Sequence, residues 1–313
     1  MANQRIITIV GGTGFLGRYV VWQLARAGYT LRVISRTPDS ALPLKTSGDV
    51  GQIVLMGGNL AEPESFAGKL DNSYAVINLV GILFESGSQK FTKLHAQGAE
   101  ALAKMSKAAG VQRFIHVSAL GVDKASGSSY ARTKALGERA VLAAFPEAII
   151  LRPSVIFGPE DNFFNQFATM ASLFPALPLI GGGRTRFQPV YAGDVAKAVE
   201  VCLTRPDVKG HIYELGGPKV YSFKEILEFI LFTIGKQRRF MPIPSGIASI
   251  MGGVSEFLPR PPLTRDQVKL LKYDNIVSPN ARTFAQLGIT PTAVESIVPD
   301  YLARFHKSNP IAA

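Results

Sequence analysis

A tyrosine and a lysine four residues apart have the types and the spacing of a proton-transfer pair. Tyr130 and Lys134 open a segment that predicts a helix to about residue 144, and positions i and i+4 place both side chains on one helix face. A lysine ammonium beside a phenol favours the phenolate, so the pair can act as a general acid/base in hydride chemistry at a carbonyl or an alcohol. The lysine can also hold the ribose of a nicotinamide cofactor. We therefore treat Tyr130 and Lys134 as candidate catalytic residues.

A glycine-rich turn near the start of the chain predicts a second kind of chemistry, the binding of an anion. Residues 11–17 read Gly-Gly-Thr-Gly-Phe-Leu-Gly and lie between an apolar run at 6–10 and an amphipathic segment. The three spaced glycines suit a tight turn, a close approach of backbone N–H groups to a pyrophosphate, and close packing of helix on strand. Phosphates are favoured at a helix N-terminus by its unpaired N–H groups and its dipole. The sequence therefore predicts a strand, a turn and a helix that bind a dinucleotide.

The residues after the second predicted strand indicate which dinucleotide is bound. The strand at 31–34 is followed by Ser35 and Arg36, whereas an NAD site usually has a carboxylate there for the ribose hydroxyls. An arginine can pair with a 2′-phosphate. The nearby acid, Asp39, stands beyond Pro38 on a predicted loop. The pattern favours NADPH over NADH, and the alternative is that Arg36 is a solvated charge at the strand end.

Strand and helix patterns alternate regularly along the first two thirds of the chain. Helices are predicted at 19–27, 97–109 and 130–144, and strands at 6–10, 31–34, 52–55, 74–81, 111–118 and 148–153. Asp194 is predicted to be the N-cap of a further helix that runs through Leu203. This alternation predicts an α/β fold, with a Rossmann-type doubly wound parallel sheet.

The same patterns predict two domains. Residues 1–157, completed by about 188–214, form the predicted NAD(P)-binding Rossmann domain. Residues 158–187 and 215–313 form a smaller, discontinuous C-terminal α/β domain for a substrate or a partner. Within it, the glycine-rich stretch 181–184 can either contact a substrate phosphate or form a plain surface loop.

Composition excludes several classes of protein. The single cysteine, Cys202, excludes a disulfide framework, and four histidines without ligand spacing predict that no metal is bound. The formal net charge is +11, but no nucleic-acid-binding motif accompanies it, so we expect no nucleic-acid partner. No apolar run reaches the roughly 18 to 20 residues of a spanning helix, and the first strand begins by residue 5. We therefore expect a cytoplasmic protein that can still lie against a membrane.

One window of the second half is both basic and apolar. Residues 236–272 contain seven lysines and arginines against two acids, and these bases flank an apolar, proline- and glycine-rich stretch at 240–263 that is poor in helical period. The stretch is either a core segment of the second domain or a hydrophobic surface rimmed by positive charge. Such a surface would dock on a membrane protein or on an anionic lipid surface.

Several motifs together resemble one family. They are the glycine turn with residues 18–21, the runs 76–81, 114–118 and 134–138, and the segments 144–150 and 153–161. The chain resembles the extended short-chain dehydrogenase/reductase superfamily in its atypical branch. More narrowly, it is similar to the NADPH-binding accessory (39 kDa) subunit family of respiratory complex I. The resemblance is specific through residue 200 and loose beyond about residue 220.

The resemblance implies a tightly held NADPH, with phosphates at the glycine turn, the 2′-phosphate near Arg36 and adenine near Asn59. The candidate cofactor-binding residues are Gly11, Thr13, Gly14, Phe15, Leu16, Gly17, Ser35, Arg36, Asn59, Leu60, Leu79, Val80, Gly81, Ser118, Tyr130, Lys134, Pro153, Ser154 and Val155. It also implies contacts with peripheral-arm subunits of complex I, close to the membrane. The chain resembles a bacterial member, so it would be cytoplasmic and peripheral to the cytoplasmic face of the inner membrane.

Two departures from the family pattern bear on the function. Active extended members hold the substrate oxygen with a serine or threonine just past the fifth strand, whereas Ser118 comes slightly early and is followed by Ala119 and Leu120. Asn59 stands where many relatives have aspartate, which keeps an acceptor for the adenine amino group but removes a charge. The leading hypothesis is therefore an accessory subunit or assembly factor with a structural cofactor.

Two other functions remain open. In the first, the chain is an active NADP-dependent oxidoreductase or sugar-nucleotide epimerase/dehydratase, with Tyr130 as acid/base, Lys134 lowering its pKa and Ser118 orienting the substrate. In the second, the chain signals the redox state of NADPH to a partner.

Overall fold

The computed structural model describes residues 3–258, 261 and 263–306, with side chains from residue 5 onward. This part of the chain divides into two compact units. The first runs up to Pro153 and includes Ala192–Leu215 and Ser278–Ile289, and the second consists of Ser154–Tyr191, Gly216–Val277 and the residues from Thr290 onward. The role predicted for the second domain stays a prediction.

The first unit contains a seven-stranded sheet in which all strands run parallel. The strands are β1 (Asn3–Val10), β2 (Tyr29–Ser35), β3 (Ile53–Gly57), β4 (Ser73–Asn78), β5 (Arg113–Val117), β6 (Ile149–Pro153) and β11 (Ile212–Leu215). Their order is β11-β6-β5-β4-β1-β2-β3, so the chain winds outward from β1 in both directions. The predicted α/β fold with a doubly wound parallel sheet is therefore confirmed.

Helices connect these strands. They are α1 (Phe15–Arg26), α2 (Ala99–Ala108), α3 (Ser129–Ala144) and α5 (Ala192–Thr204), with a π-helical segment at Thr92–Gly98 that leads directly into α2. Helices α2 and α3 pack with the sheet around one core that contains Val76, Phe114 and Ile150, whereas α1 contacts α5. Successive side chains of a strand face opposite sides of the sheet, and both sides are largely buried, so apolar residues predominate in these strands.

Several predicted boundaries were wrong in ways that matter for the site. Helix α1 begins at Phe15, inside the glycine motif, and not at residue 19. Strand β4 ends at Asn78, so residues 79–81 leave the sheet. Asp194 is not an N-cap, because α5 begins at Ala192 and Asp194 lies within its first turn, where the helix dipole favours a carboxylate.

The second unit has short strand pairs around a separate core. Its strands are β7 (Ile156–Phe157), β8 (Ala176–Ile180), β9 (Arg186–Phe187), β10 (Val190–Tyr191), β12 (Tyr221–Ser222) and β13 (Arg239–Ile243), which pair as β7 with β10, β8 with β13 and β9 with β12. Its helices are α4 (Phe163–Leu173), α6 (Phe223–Thr233), α7 (Ser245–Ser255), α8 (Arg265–Leu270) and α9 (Val298–Leu302). Helices α4 and α6 contribute phenylalanines to its core, among them the buried Phe164 and Phe223.

The stretch 240–263, predicted to be poor in helix, contains α7. Glycines lower helix propensity, but Gly252 and Gly253 lie where α7 contacts α8, and an added Cβ at either would collide with Thr264 or Arg265. The close packing of α7 on α8 therefore requires these glycines, and it outweighs their low helix propensity. Pro259, Arg260 and Pro262, which belong to the predicted basic and apolar window, lie outside the described residues. No helix in the described ranges is both long enough and apolar enough to cross a membrane.

Candidate nucleotide-binding and catalytic site

The glycine turn joins β1 to α1 in a conformation that requires its glycines. Gly11 has φ +87°, in the left-handed region, and its N–H donates to the Ile34 carbonyl at 3.2 Å. A Cβ at Gly11 would lie 3.3 Å from the Leu79 backbone and 3.2 Å from the Val80 side chain. The turn therefore fits closely under the segment that follows β4, and that fit leaves no room for a side chain at Gly11.

Gly14 and Gly17 differ sharply in the space around them. A Cβ at Gly17 would collide with the Gly11 carbonyl oxygen and would lie 2.6 Å from Gly12 Cα, so this glycine allows α1 to pack on the turn. Gly14 is exposed, and a Cβ there would meet only the Gly11 carbonyl oxygen, at 3.5 Å. The space beside Gly14 is thus open for a ligand, whereas the space beside Gly17 is filled by the protein.

The start of α1 is suited to bind an anion. Gly14 is its N-cap and no side chain caps it, and the first turn contains no acid. The N–H groups of Phe15 and Leu16 lie in the first turn of α1, where no intrahelical carbonyl can accept from them. They can therefore donate hydrogen bonds to a ligand. The Thr13 carbonyl accepts a hydrogen bond from the Arg18 guanidinium at 3.2 Å, which keeps a positive charge beside the turn.

The end of β2 presents a buried hydroxyl and an exposed cation. Ser35 is 8% exposed, and its Oγ has no hydrogen-bond partner among the described residues. Arg36 is exposed, and within the described chain its guanidinium has no hydrogen bond or ion pair. An unpaired buried hydroxyl costs free energy, which a ligand that hydrogen-bonds to Ser35 would recover. The exposed guanidinium of Arg36 can pair with an anionic group of the same ligand.

Asn59 lies in a local turn and Leu60 lies in the core, and their contact with adenine stays a prediction. The Asn59 side chain closes a local turn, because its Oδ1 accepts from the Ala61 N–H at 3.1 Å and its Nδ2 donates to Glu62 at 2.8 Å. Leu60 is 4% exposed and packs in the core shared with α2. Any adenine contact at this position would therefore use the backbone or the remaining lone pair of Asn59 Oδ1.

Lys134 reaches the end of β5, next to Ser118. Its Nζ donates to the Val117 carbonyl at 2.8 Å, and a Cβ at Gly81 would lie 3.8 Å from the same nitrogen. Ser118 follows β5 directly, and its buried Oγ has no hydrogen-bond partner in the described part of the chain. The structure thus brings Ser118, Lys134 and Gly81 to one place, although they are far apart in the sequence.

Burial sets the proton affinities of the tyrosine and the lysine. Burial raises the pKa of Tyr130 to about 12, whereas the sequence predicted that Lys134 would lower it. Burial also lowers the pKa of Lys134 to about 8, although the nearby Glu138 raises it. At neutral pH Tyr130 is therefore a protonated phenol, suited to donate a proton rather than to accept one.

A neutral histidine that the sequence did not single out packs against the ring of Tyr130. The Ile82 N–H donates to His95 Nε2 at 3.1 Å, so the ring proton is on Nδ1, which lies 3.2 Å from the Thr133 hydroxyl. The His95 ring meets the Tyr130 ring edge to face at 5.4 Å, and Phe91 stacks on His95 at 5.3 Å. His95 belongs to the π-helical segment, a feature that is often found at functional sites.

A second histidine, also missed, lies beneath the same site. The Asn78 Oδ1 accepts from the Val80 N–H, so its Nδ2 donates to His116 Nδ1 at 3.1 Å and the His116 proton must be on Nε2. This Nε2 is buried and has no partner among the described residues. It is one of three such side-chain atoms there, and the other two belong to Ser35 and Ser118. Sequence spacing gave no signal for either histidine, because only the fold brings them to the site.

A buried ion-pair network supports the helix that carries Tyr130 and Lys134. Arg152 on β6 donates to Glu138 on α3 through Nε at 3.0 Å and Nη2 at 2.7 Å. Asp123 and Glu214 lie 3.1 and 3.5 Å from Arg152 Nη1. Because Glu138 stands one helical turn after Lys134, the pair fixes α3 against the sheet next to the site.

The last three predicted cofactor-binding residues, Pro153, Ser154 and Val155, are consecutive in the chain, and the division between the two units falls after Pro153. Pro153 ends β6, and its carbonyl accepts from the Leu120 N–H at 2.9 Å. Ser154 and Val155 belong to the second unit, where Asn275 Oδ1 accepts from the Ser154 hydroxyl at 2.6 Å and from the Val155 N–H at 3.2 Å. The role of these three residues in cofactor binding stays a prediction.

The two buried histidines predict a loss of stability in mild acid. Burial lowers the pKa of His95 from 6.5 to about 3 and lowers that of His116 well below its ordinary value. As pH falls below 6.5, the unfolded chain binds protons that the folded chain does not, so we expect the free energy of unfolding to fall by about 1.4 kcal/mol per pH unit for each histidine. Denaturant unfolding at pH 7 and pH 5 measures the slope. His95→Gln should reduce this slope and the exposed-site control His306→Gln should not; equal slopes in all three proteins would contradict the account.

The fold and the site together define a class of protein. The sheet is parallel and has this strand order, a glycine turn joins β1 to α1, and the helix after β5 carries a tyrosine–lysine pair. These features together are typical of a Rossmann-type short-chain dehydrogenase/reductase. The profile of the family described as "NAD dependent epimerase/dehydratase family" matches residues 7–216, and the chain belongs to this family.

Two relatives indicate which members of this family the chain is similar to. The chain is 37% identical to "NADH dehydrogenase [ubiquinone] 1 alpha subcomplex subunit 9, mitochondrial" of Arabidopsis thaliana, over 97% of this chain and 79% of the relative. It is 36% identical to the protein of the same name from Mus musculus, over 93% and 78%. The resemblance to the accessory subunit family of complex I is therefore confirmed.

Another relative is named as an enzyme, and solved structures share the fold. The "Ceramide reductase" of Caulobacter vibrioides is 32% identical over 76% of this chain and 74% of the relative. A dTDP-glucose 4,6-dehydratase from Streptomyces venezuelae, solved with NAD bound, superimposes with a TM-score of 0.74 at 19% identity, covering 97% of each chain. At that identity the likeness shows the fold alone.

Proposed function

We propose that this protein is an NADP(H)-binding accessory subunit or assembly factor of respiratory complex I, in which the cofactor has a structural role. The observation that supports this most directly is the 37% identity, over 97% of the chain, with a relative named as a subunit of NADH dehydrogenase. A ligand that binds only the folded state stabilises it, and no turnover is required for that effect.

The residues present fit a dinucleotide. The open space beside Gly14 and the uncapped start of α1 suit a pyrophosphate. Ser35 and Ser118, whose buried hydroxyls lack protein partners, lie at the ends of β2 and β5, where ligands bind in sheets of this kind. Lys134, beside Ser118, would hold the ribose on the nicotinamide side.

Arg36 favours NADP(H) over NAD(H). Its guanidinium follows β2 directly, is exposed, and in the described chain is not engaged by any carboxylate. No acid stands between Ser35 and Pro38 to bind a free ribose 2′-hydroxyl. A 2′-phosphate would form a charge-assisted contact with Arg36.

Replacing Arg36 should change which cofactor is preferred. Arg36→Ala should weaken NADPH binding about 10- to 100-fold, the effect of losing one charged hydrogen bond, and leave NADH binding unchanged. Calorimetric titration of the purified protein with each cofactor measures this. Lys45→Ala, which removes another exposed base from the segment after β2, should leave both affinities intact. Equal weakening of NADPH and NADH by Arg36→Ala would refute a 2′-phosphate contact.

Association with complex I can be tested in native membranes. We expect the tagged protein to migrate with complex I on native gels after gentle solubilisation, at the cytoplasmic face of the inner membrane in a bacterial cell. Arg36→Ala should reduce this co-migration if NADPH stabilises the assembled form. A pool that migrates entirely apart from complex I would contradict the subunit hypothesis.

Within the same proposal, residues 236–272 are the part of the chain that faces an anionic lipid surface.

A second candidate function is a reductase. Ser118, Tyr130 and Lys134 are all present and come from the elements that build such sites, and one relative is named ceramide reductase. Bound NADPH would supply the hydride, and the protonated phenol of Tyr130 is suited to donate a proton to the carbonyl oxygen that is reduced. Tyr130→Phe removes this proton and should abolish any reductase activity; retained activity would exclude Tyr130 as the acid.

A further inference from the structure

Helix α7 presents a row of apolar side chains outward. Ile247, Ile250, Met251 and Val254 recur at i, i+3, i+4 and i+7, which is one face of a helix. All four are exposed, Ile250 to 68% and Val254 to 67%. Phe257, just beyond the helix, is 92% exposed. The face that would usually be buried in a core is therefore the one in contact with solvent.

Packing on the opposite side fixes this orientation. Ala248 is buried in a small core with Ile180, Ile243 and Val268. Gly252, which also lies on the inner side, is close enough to α8 that an added Cβ would lie 2.8 Å from the Arg265 backbone nitrogen. The helix cannot turn its apolar row inward without losing these contacts.

Positive charge lies on elements next to α7 in the chain. Helix α7 has no charged residue, whereas exposed bases stand on the neighbouring elements, with Arg239 on β13, Arg265 and Lys269 on α8, and Lys272 just after α8. The acids of this region are fewer: the exposed Glu256, which accepts a hydrogen bond from the Arg265 N–H at 2.8 Å, and the half-buried Asp266 on α8. An apolar row with a basic rim is complementary to an anionic bilayer, whose headgroups attract the bases and whose acyl boundary accepts the apolar side chains.

We propose that α7, with Phe257 and Leu258, is a lipid-docking face that lies flat on an anionic membrane surface. The helix has 11 residues, too few to span a bilayer but enough to lie in the interface. The exposed row of Ile247, Ile250, Met251 and Val254 contains no polar side chain for directional recognition, which favours a lipid over a protein partner. The inference deepens the membrane location in the proposed function, and binding of the isolated protein to vesicles is tested separately from co-migration with complex I.

Vesicle sedimentation with the purified full-length chain tests the proposal. We expect binding to vesicles of phosphatidylcholine mixed with phosphatidylglycerol and little binding to phosphatidylcholine alone. Ile250→Ser/Val254→Ser should abolish binding, and Lys269→Gln/Lys272→Gln should weaken it about fivefold for each base removed. Leu42→Ser, at an exposed apolar residue of the first unit, is the matched control and should bind as the wild type does.

A fluorescent label reports which part of the surface meets the lipid. Because Cys202 is fully buried, a cysteine introduced by Val254→Cys is the accessible thiol among the described residues. An environment-sensitive dye at this position should shift to shorter wavelength with anionic vesicles, whereas the same dye at Val50→Cys, on an exposed loop, should not.

Three results would overturn the proposal. The first is no binding to anionic vesicles, including the case in which α7 instead mediates a dimer that Ile250→Ser/Val254→Ser dissociates. The second is equal binding to neutral and anionic vesicles. The third is vesicle binding without a spectral shift at residue 254. Loss of complex I co-migration with vesicle binding retained would leave this inference standing and would reject the subunit hypothesis.

Discussion

Gly17→Ala should lower the free energy of unfolding by about 3 kcal/mol, the upper end of the usual cost of overpacking. A Cβ at this position would collide with the Gly11 carbonyl oxygen and the Gly12 backbone. Backbone atoms cannot move aside as a flexible side chain can, so either α1 or the turn must shift. Urea denaturation followed by circular dichroism measures the loss, and a variant as stable as the wild type would contradict the close packing of α1 on the turn.

Gly14→Ala is the matched variant that separates folding from cofactor binding. Gly14 has φ −71°, which alanine adopts without strain, and its Cβ would meet protein only at 3.5 Å. We therefore expect a stability close to that of the wild type but a loss of NADPH affinity, because the methyl group would occupy the space proposed for the pyrophosphate. If Gly14→Ala binds NADPH as tightly as the wild type, the glycine turn is not the phosphate site.

Glu138→Ala should destabilise the protein by about 3 to 5 kcal/mol, as is typical when one partner of a buried ion pair is removed. The side chains of Glu138 and Arg152 are 5% and 12% exposed, so the guanidinium would lose its bidentate partner in a place that water barely reaches. Asp123 and Glu214 would remain near Arg152 and offset part of the cost. Thermal and urea unfolding measure this effect.

Two further variants make the experiment specific. Glu138→Gln keeps an acceptor for Arg152 and should cost less than Glu138→Ala. Asp207→Ala breaks the exposed pair of Arg205 and Asp207 and should change stability little, because exposed ion pairs contribute little. A loss with Glu138→Ala no greater than that with Asp207→Ala would show that the buried network does not hold α3 on the sheet.

The buried network also links stability to the site. Glu138 and Lys134 lie one turn apart on α3, and Lys134 donates to the Val117 carbonyl at the end of β5. If Arg152 no longer holds α3, the lysine should lose this position and NADPH binding should weaken. A Glu138→Ala protein that remains folded but binds NADPH poorly would support this coupling.

The sequence by itself determined the local parts of this protein. The apolar strands, the glycine turn and the helices between them follow from short-range patterns, and they predict the parallel α/β sheet that the structure has. Gly11 could be predicted to be a turn residue, because its left-handed backbone conformation favours glycine. Strand β11 was not predicted as a strand, since four residues carry little periodicity and its partner β6 is far away in the chain.

Only the tertiary structure decided how these parts combine into a site. His95 and His116 gave no signal in the sequence, because their roles depend on contacts with Tyr130, Thr133 and Asn78. The raised pKa of Tyr130 likewise follows from burial, which no spacing of residues reveals. The exposed row on α7 depends on glycines that pack against α8, so its orientation, and with it the proposed membrane contact, is a property of the folded chain.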